Sequence, residues 1–94
     1  MINTKHNVSE LREATRLMVG NLPYGVGREE FAQVFAQIAK LEDVYLSQPK
    51  AADRKNGGWG IIALAEATAR DVLDRTILVR DRVVRVKRAR PKTA

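Results

Sequence analysis

The residues with the widest chemical reach in this 94-residue chain are its cations and a single tryptophan. Arg85, Lys87, Arg88, Arg90 and Lys92 crowd the end of the sequence, and Lys50, Arg54 and Lys55 precede Gly57-Gly58-Trp59-Gly60. Guanidinium and ammonium groups neutralise phosphate, and an indole set among glycines offers a plane on which another flat ring can stack. The formal net charge is +6. Arg80 to Ala94 holds seven basic residues against Asp81 alone, whereas the residues before Arg80 balance at ten of each sign. A charge excess confined to one end reads as a surface for a polyanion; a solubilising tail is the plainer explanation of the same residues.

Catalysis and metal binding find little support. Cysteine is absent, which removes disulfides, cysteine-type zinc sites and thiol nucleophiles together. His6 is the only histidine and has no second histidine or cysteine to complete a metal site or a catalytic pair. Ser9 and Ser47 lie in no nucleophile motif, and the carboxylates of Glu29-Glu30 and of Glu42-Asp43 are adjacent, so each pair diverges. Gly25-Val26-Gly27-Arg28 could cradle phosphate at a helix N-terminus, as in a small phosphatase. It lacks a third glycine and a residue to orient water. No enzyme activity, metal or cofactor is expected.

The elements that must carry these side chains amount to one domain, since a chain this short buries only about 60–65% of its unfolded surface. Hydrophobic residues at 45% and charged residues at 30% fit a globular protein. No apolar run approaches the roughly 18–20 residues that span a bilayer, and Met1 to Asn7 has no hydrophobic centre, so no membrane partner is expected. The sequence leaves the compartment undetermined; an intracellular setting, in nucleus, cytoplasm or an organelle, is expected.

Residues 1–15 read as an arm with at most one or two helical turns capped by Ser9. Arg16 to Leu22 alternates as a strand until Pro23 breaks it, and Phe31, Val34, Phe35 and Ile38 recur at helical spacing over Arg28 to Ala39. A second strand is predicted over Leu41 to Ser47, followed by a mobile basic loop through Asn56. A third covers Gly58 to Leu64, a helix Glu66 to Asp74, and a last strand Val83 to Arg88, with a short extra strand at Ile77 to Val79. Residues 90–94 form a basic tail. The order βαββαβ over residues 16–89 is an α+β, ferredoxin-like sandwich, with two helices on one face of a four-stranded antiparallel sheet. Alternation turns Leu17, Val19, Val44, Leu46, Ile62, Leu64, Val84 and Val86 to the helices, and Met18, Tyr45, Trp59, Ile61, Val83, Arg85 and Lys87 to the open face.

Two of these strands resemble the signature strands of the RNA-recognition-motif family, and the likeness extends over Arg16 to Ala89. Leu17-Met18-Val19-Gly20-Asn21-Leu22-Pro23-Tyr24 resembles its first-strand motif. Gly57-Gly58-Trp59-Gly60-Ile61-Ile62-Ala63-Leu64 resembles its third-strand octamer, whose pattern is basic, glycine, aromatic, glycine or alanine, aromatic, valine, any, aromatic. Glu29-Glu30-Phe31 with Val34-Phe35, and Arg82 to Ala89, resemble its first helix and last strand.

The resemblance implies single-stranded RNA bound across the open face. Bases would stack at the positions of Met18 and Ile61 and sugars would pack at that of Trp59, with Asn21, Tyr24, Tyr45, Lys55, Arg85, Lys87 and Arg88 as further RNA-binding residues. Two expected aromatics are thus replaced, and Gly57 stands where the family prefers a cation. At about 1–3 kcal/mol per stacked base, two missing platforms cost about 2–6 kcal/mol, which predicts modest affinity and little sequence selectivity. The alternative is a degenerate member whose apolar sheet face or helices meet a protein partner in a ribonucleoprotein assembly, or whose face its own tail covers. Relatives that grip a tryptophan peptide share an Arg-any-Phe motif before the last strand; here that stretch is Arg80-Asp81-Arg82. A monomer is favoured.

Overall fold

Leu17 and Val19 alternate with Met18 and Gly20 in an extended chain, and this segment forms the middle of the fold. The computed structural model describes residues 14–89; the N-terminal arm through Glu13 and the tail from Arg90 lie outside the described residues. Its elements are β1 (Thr15–Gly20), α1 (Arg28–Ala36), β2 (Asp43–Leu46), β3 (Trp59–Leu64), α2 (Glu66–Leu73), β4 (Leu78–Val79), β5 (Arg82–Val83) and β6 (Arg85–Arg88). The main sheet has the order β2-β3-β1-β6 with antiparallel pairing throughout, and β4 with β5 forms a separate two-stranded ribbon.

Leu17, Val19, Ile62 and Leu64 from the central strands meet Phe31 and Phe35 of α1 and Ala69 and Val72 of α2 in one buried cluster. The two phenylalanine rings pack edge-on, centroids 5.4 Å apart at 65°. Burying each contributes about 1.5–3 kcal/mol, which makes this pair the anchor of α1 on the sheet. Phe31 also explains Gly60, where a Cβ would lie 2.7 Å from the Phe31 ring and 2.8 Å from the Tyr45 carbonyl oxygen.

The elements are shorter than their sequence patterns. Helix α1 stops at Ala36 instead of Ala39, although the amides of Ile38 and Ala39 still reach the Phe35 carbonyl at 3.0 and 2.9 Å. Strand β2 loses its expected ends as regular strand, yet the Glu42 amide still donates to Ala63 and the Ser47 amide to Trp59. The predicted last strand is cut in two at Val84. Its side chain is buried and its amide donates to the Ile77 carbonyl at 3.0 Å, so the chain leaves β4 and joins β1 at this residue. The expected extra strand is present as β4. Its turn to β5 places Arg80 and Asp81 at φ 51° and 67°, the left-handed pair of a tight hairpin.

Two ion pairs fasten these late elements to the helices. The Arg80 guanidinium grips Glu30 of α1 at 2.7 and 2.8 Å, which lowers the Glu30 carboxyl below its usual range and raises Arg80. Arg88 of β6 likewise grips Glu66 at the start of α2, at 2.7 and 3.0 Å, and Glu66 also accepts from Thr15 and Arg70. Hydrogen bonding, from Arg88 first and Thr15 next, lowers the Glu66 carboxyl to about 2.

Candidate nucleic-acid interface

The strand register sets the open face out in rows. Tyr45, Ile61, Met18 and Lys87 lie opposite one another across β2, β3, β1 and β6. One step along, Gly20 lies between Trp59 and Arg85. One step the other way, Ala63 lies between Asp43 and Arg16. Trp59 is 38% exposed and Tyr45 48%, and their rings tilt at 46° with centroids 5.8 Å apart. Six of the ten expected site residues therefore share one surface: Met18, Tyr45, Trp59, Ile61, Arg85 and Lys87. Its aromatic side is β2–β3 and its cationic side is β6. Arg85 is not beside Trp59 but across the side-chain gap of Gly20, a distance of two strand spacings, roughly 9–10 Å.

The other four expected residues have different placements. Tyr24 and Lys55 belong to the end of the sheet, where the exposed Tyr24 ring carries the Arg54 guanidinium 4.0 Å from its centroid and the Lys55 amide donates to the Tyr24 carbonyl. Asn21, at φ 63°, donates its side-chain amide to the Val83 carbonyl at 2.9 Å and so braces β1 against β5. Arg88 is on the helix side of the sheet, paired with Glu66 and not extended toward a strand leaving the open face. The tail cations Arg90 and Lys92 lie outside the described residues.

The basic loop expected to be mobile is tied down at its far end. Asn56, fully buried, donates to the carbonyls of Pro23 and Val26 and accepts from the Gly58 amide, which joins the loop before β3 to the loop before α1. Ser47 is buried beside it; its hydroxyl donates to the Trp59 carbonyl and accepts from the Gly57 amide. Ser47 thus holds the Trp59 main chain and Asn56 the Gly58 main chain before it, and the burial of both has no periodic signal in the sequence.

Comparison with known proteins agrees with this geometry. The family model for the RNA recognition motif matches residues 17–75, which is more than half of the chain. The chain belongs to this family. RNA-binding protein CP33, chloroplastic, of Arabidopsis thaliana is 36% identical over 52 residues, covering 55% of this chain and 16% of that protein. This recognition domain thus spans about a sixth of the length of that relative. Among solved structures, the RNA binding domain of Hrp1 in complex with RNA superposes with a TM-score of 0.73 at 18% identity, covering 86% of this chain and 48% of the other. The second RRM domain of yeast poly(U)-binding protein (Pub1) gives 0.69 at 18% identity, covering 82% and 95%. Those two likenesses speak for the fold.

One departure of this RRM from the family pattern has a local cause. A Cβ on Gly57 would lie 2.7 Å from the Gln48 carbonyl oxygen and 3.0 Å from the Ser47 hydroxyl. The cation usual at that octamer position cannot be carried while the β2–β3 connection folds back onto it. Lys55 and Arg54, two and three residues earlier, bring positive charge to the same end of the sheet.

The reading from sequence missed a depression of about 250 Å³ on the open face, lined by Arg16, Asp43, Val44, Tyr45, Ile61 and Ala63. Period-2 alternation would have found it, because Arg16, Asp43 and Ala63 are each two residues from a residue already assigned to that face.

Proposed function

We infer that this RRM binds single-stranded RNA across its open face, with modest affinity and little selectivity at the centre of the sheet, as the non-catalytic recognition part of a larger RNA-processing protein. The observation that carries this reading is the Trp59–Tyr45 pair, two partly exposed rings in contact on one side of a surface whose other side bears Arg85 and Lys87. Rings take bases and cations take phosphates, whatever the sequence of the strand. Met18 and Ile61 between them add apolar contact without the stacking plane of an aromatic ring. A sheet face cannot enter the deep major groove of an A-form duplex, so splayed single strands are its substrate. The similar proteins, an RNA-binding protein and an RNA complex, support the same class of ligand.

A second reading rests on the pair Met18 and Ile61, which are opposite in register and leave the middle of the face apolar. In that reading a protein partner of a ribonucleoprotein assembly covers the face. An NMR titration with short homopolymeric RNAs, single-stranded and duplex, decides between them. RNA binding predicts shifts concentrated at Tyr45, Trp59, Ile61 and Lys87 with single strands, with pyrimidines weakly preferred at the stacking positions because they unstack most easily. Shifts confined to the helices, or equal affinity for duplex, would refute it.

A further inference from the structure

The depression beside Tyr45 has a polarity unlike the rest of the face. Its floor is Ala63, 7% exposed, a small residue with longer neighbours on both adjoining strands. Asp43 of β2 and Arg16 of β1 lie directly opposite Ala63 in the register, so a carboxylate and a guanidinium border the floor from either side. Tyr45 and Ile61 close the next row. Among the described residues neither Arg16 nor Asp43 takes part in an ion pair. One Asp43 oxygen accepts the Val44 amide at 2.8 Å, which fixes the carboxylate at the lip of the depression and leaves acceptor capacity free.

On this basis we propose that the Arg16–Asp43 depression is a base-selective subsite for guanine, which rests on the RNA-binding reading above. The size suits a purine: a cavity of about 150 Å³ takes a benzene ring, and about 250 Å³ leaves room for the fused pair. The polar groups suit guanine among the four bases. A carboxylate only accepts, and guanine alone offers two adjacent donors, N1–H and the N2 amine, on one edge. A guanidinium only donates, and guanine offers the paired acceptors O6 and N7 that an arginine fork matches. Adenine and cytosine give the carboxylate one amine, and uracil gives it one imide N–H. Tyr45 at the wall supplies a stacking surface for the same ring. The apolar centre of the sheet then contributes affinity without choice, and this one position contributes the choice.

The test is fluorescence anisotropy with the full chain and labelled heptamers of uridine in which one internal residue is uridine, guanosine, inosine, adenosine or cytidine. Guanosine is expected to bind about tenfold more tightly than uridine, and inosine, which lacks the N2 amine, to fall between them. Asp43→Asn keeps the acceptor for the Val44 amide, so the fold is retained. It should reduce guanosine to the uridine level and leave the all-uridine strand unchanged. Arg16→Gln should lower the guanosine advantage as well. Equal binding of guanosine and uridine by the unaltered chain, a preference for adenosine or cytidine, or an Asp43→Asn loss shared by every heptamer would overturn the subsite while leaving RNA binding by the face intact. Failure of every heptamer to bind would overturn both.

Discussion

Replacing Trp59 with alanine separates binding from folding in a way the structure makes quantitative. The indole projects from the open face beside Tyr45, while its main chain does the structural work: the carbonyl takes the Ser47 amide and hydroxyl, and the residue lies opposite Gly20 in the β1–β3 ladder. None of those bonds needs the side chain. The folded state loses the contact with the Tyr45 ring, worth about 0.5–1.5 kcal/mol, which lowers the melting temperature by about 2–12 °C for a domain of this size. RNA loses a stacking platform worth about 1–3 kcal/mol, a roughly 5- to 150-fold weaker Kd for oligouridylate. Anisotropy with a labelled oligouridylate, alongside a thermal melt of the same preparation, measures both. Trp59→Phe should recover most of the binding, because a smaller ring still stacks. A folded Trp59→Ala variant that binds normally would refute the assignment of the ring pair as the platform, and one that unfolds would refute the assignment of faces.

Other changes test the remaining structural assignments. Neutralising Arg85 and Lys87 together should flatten the slope of log affinity against log salt by about 1.4, at about 0.7 per phosphate contact on a single strand, and weaken all sequences alike. Arg88→Gln should leave that slope nearly unchanged and lower thermal stability instead, since its guanidinium is engaged by Glu66. Glu66 has a folded-state carboxyl lowered to about 2 against an ordinary 4.5, so its stabilisation is fully present above about 4.5 and is lost as the pH falls toward 2. Glu66→Gln should therefore reduce the acid-induced loss of stability across that window in a urea titration series. Gly57→Lys, which restores the family's usual cation, should cost about 1–3 kcal/mol of stability by forcing apart the Gln48 carbonyl and Ser47 hydroxyl, and a denaturation midpoint equal to the parent chain would contradict that packing.

The sheet and helices were legible because their signals are periodic. Alternation around Leu17–Val19 and Ile62–Leu64 assigned the buried rows of the central strands correctly, and the Phe31–Phe35 spacing set the face of α1. The break at Val84 was not legible: its alternation continues unbroken, and only the capture of its amide by Ile77 reveals where the chain changes partner. Arg88 fell on the helix side by the same period-2 rule that put Lys87 on the open face, but its charge drew it into the expected binding set, and the pairing with Glu66, 22 residues away, has no local signature. Asn56 resembled loop polarity, and Ser47 the polar end of the second strand. The burial of Asn56 follows from the meeting of two loops distant in sequence, and that of Ser47 from the return of the chain at Gly57 and Trp59; neither contact has a periodic signal.

The replaced stacking positions also take on a different meaning once register is known. Met18 and Ile61 occupy the middle of the row that runs from Tyr45 to Lys87, so the aromatic surface missing from the centre is found toward β2, where Tyr45 meets Trp59, two residues before Ile61 on the same strand. That displacement divides the face into an aromatic half over β2 and β3 and a cationic half over β6, separated on the Trp59 row by the gap at Gly20. A strand with bases on the rings and phosphates toward Arg85 and Lys87 would satisfy both halves at once. The two groups of side chains are fixed toward opposite edges of the same face by backbone pairing, so the polarity of the surface follows from the strand order. On the proposed reading, the stacking lost at the central positions is offset by a platform beside them, whose Trp59 carbonyl is held by Ser47.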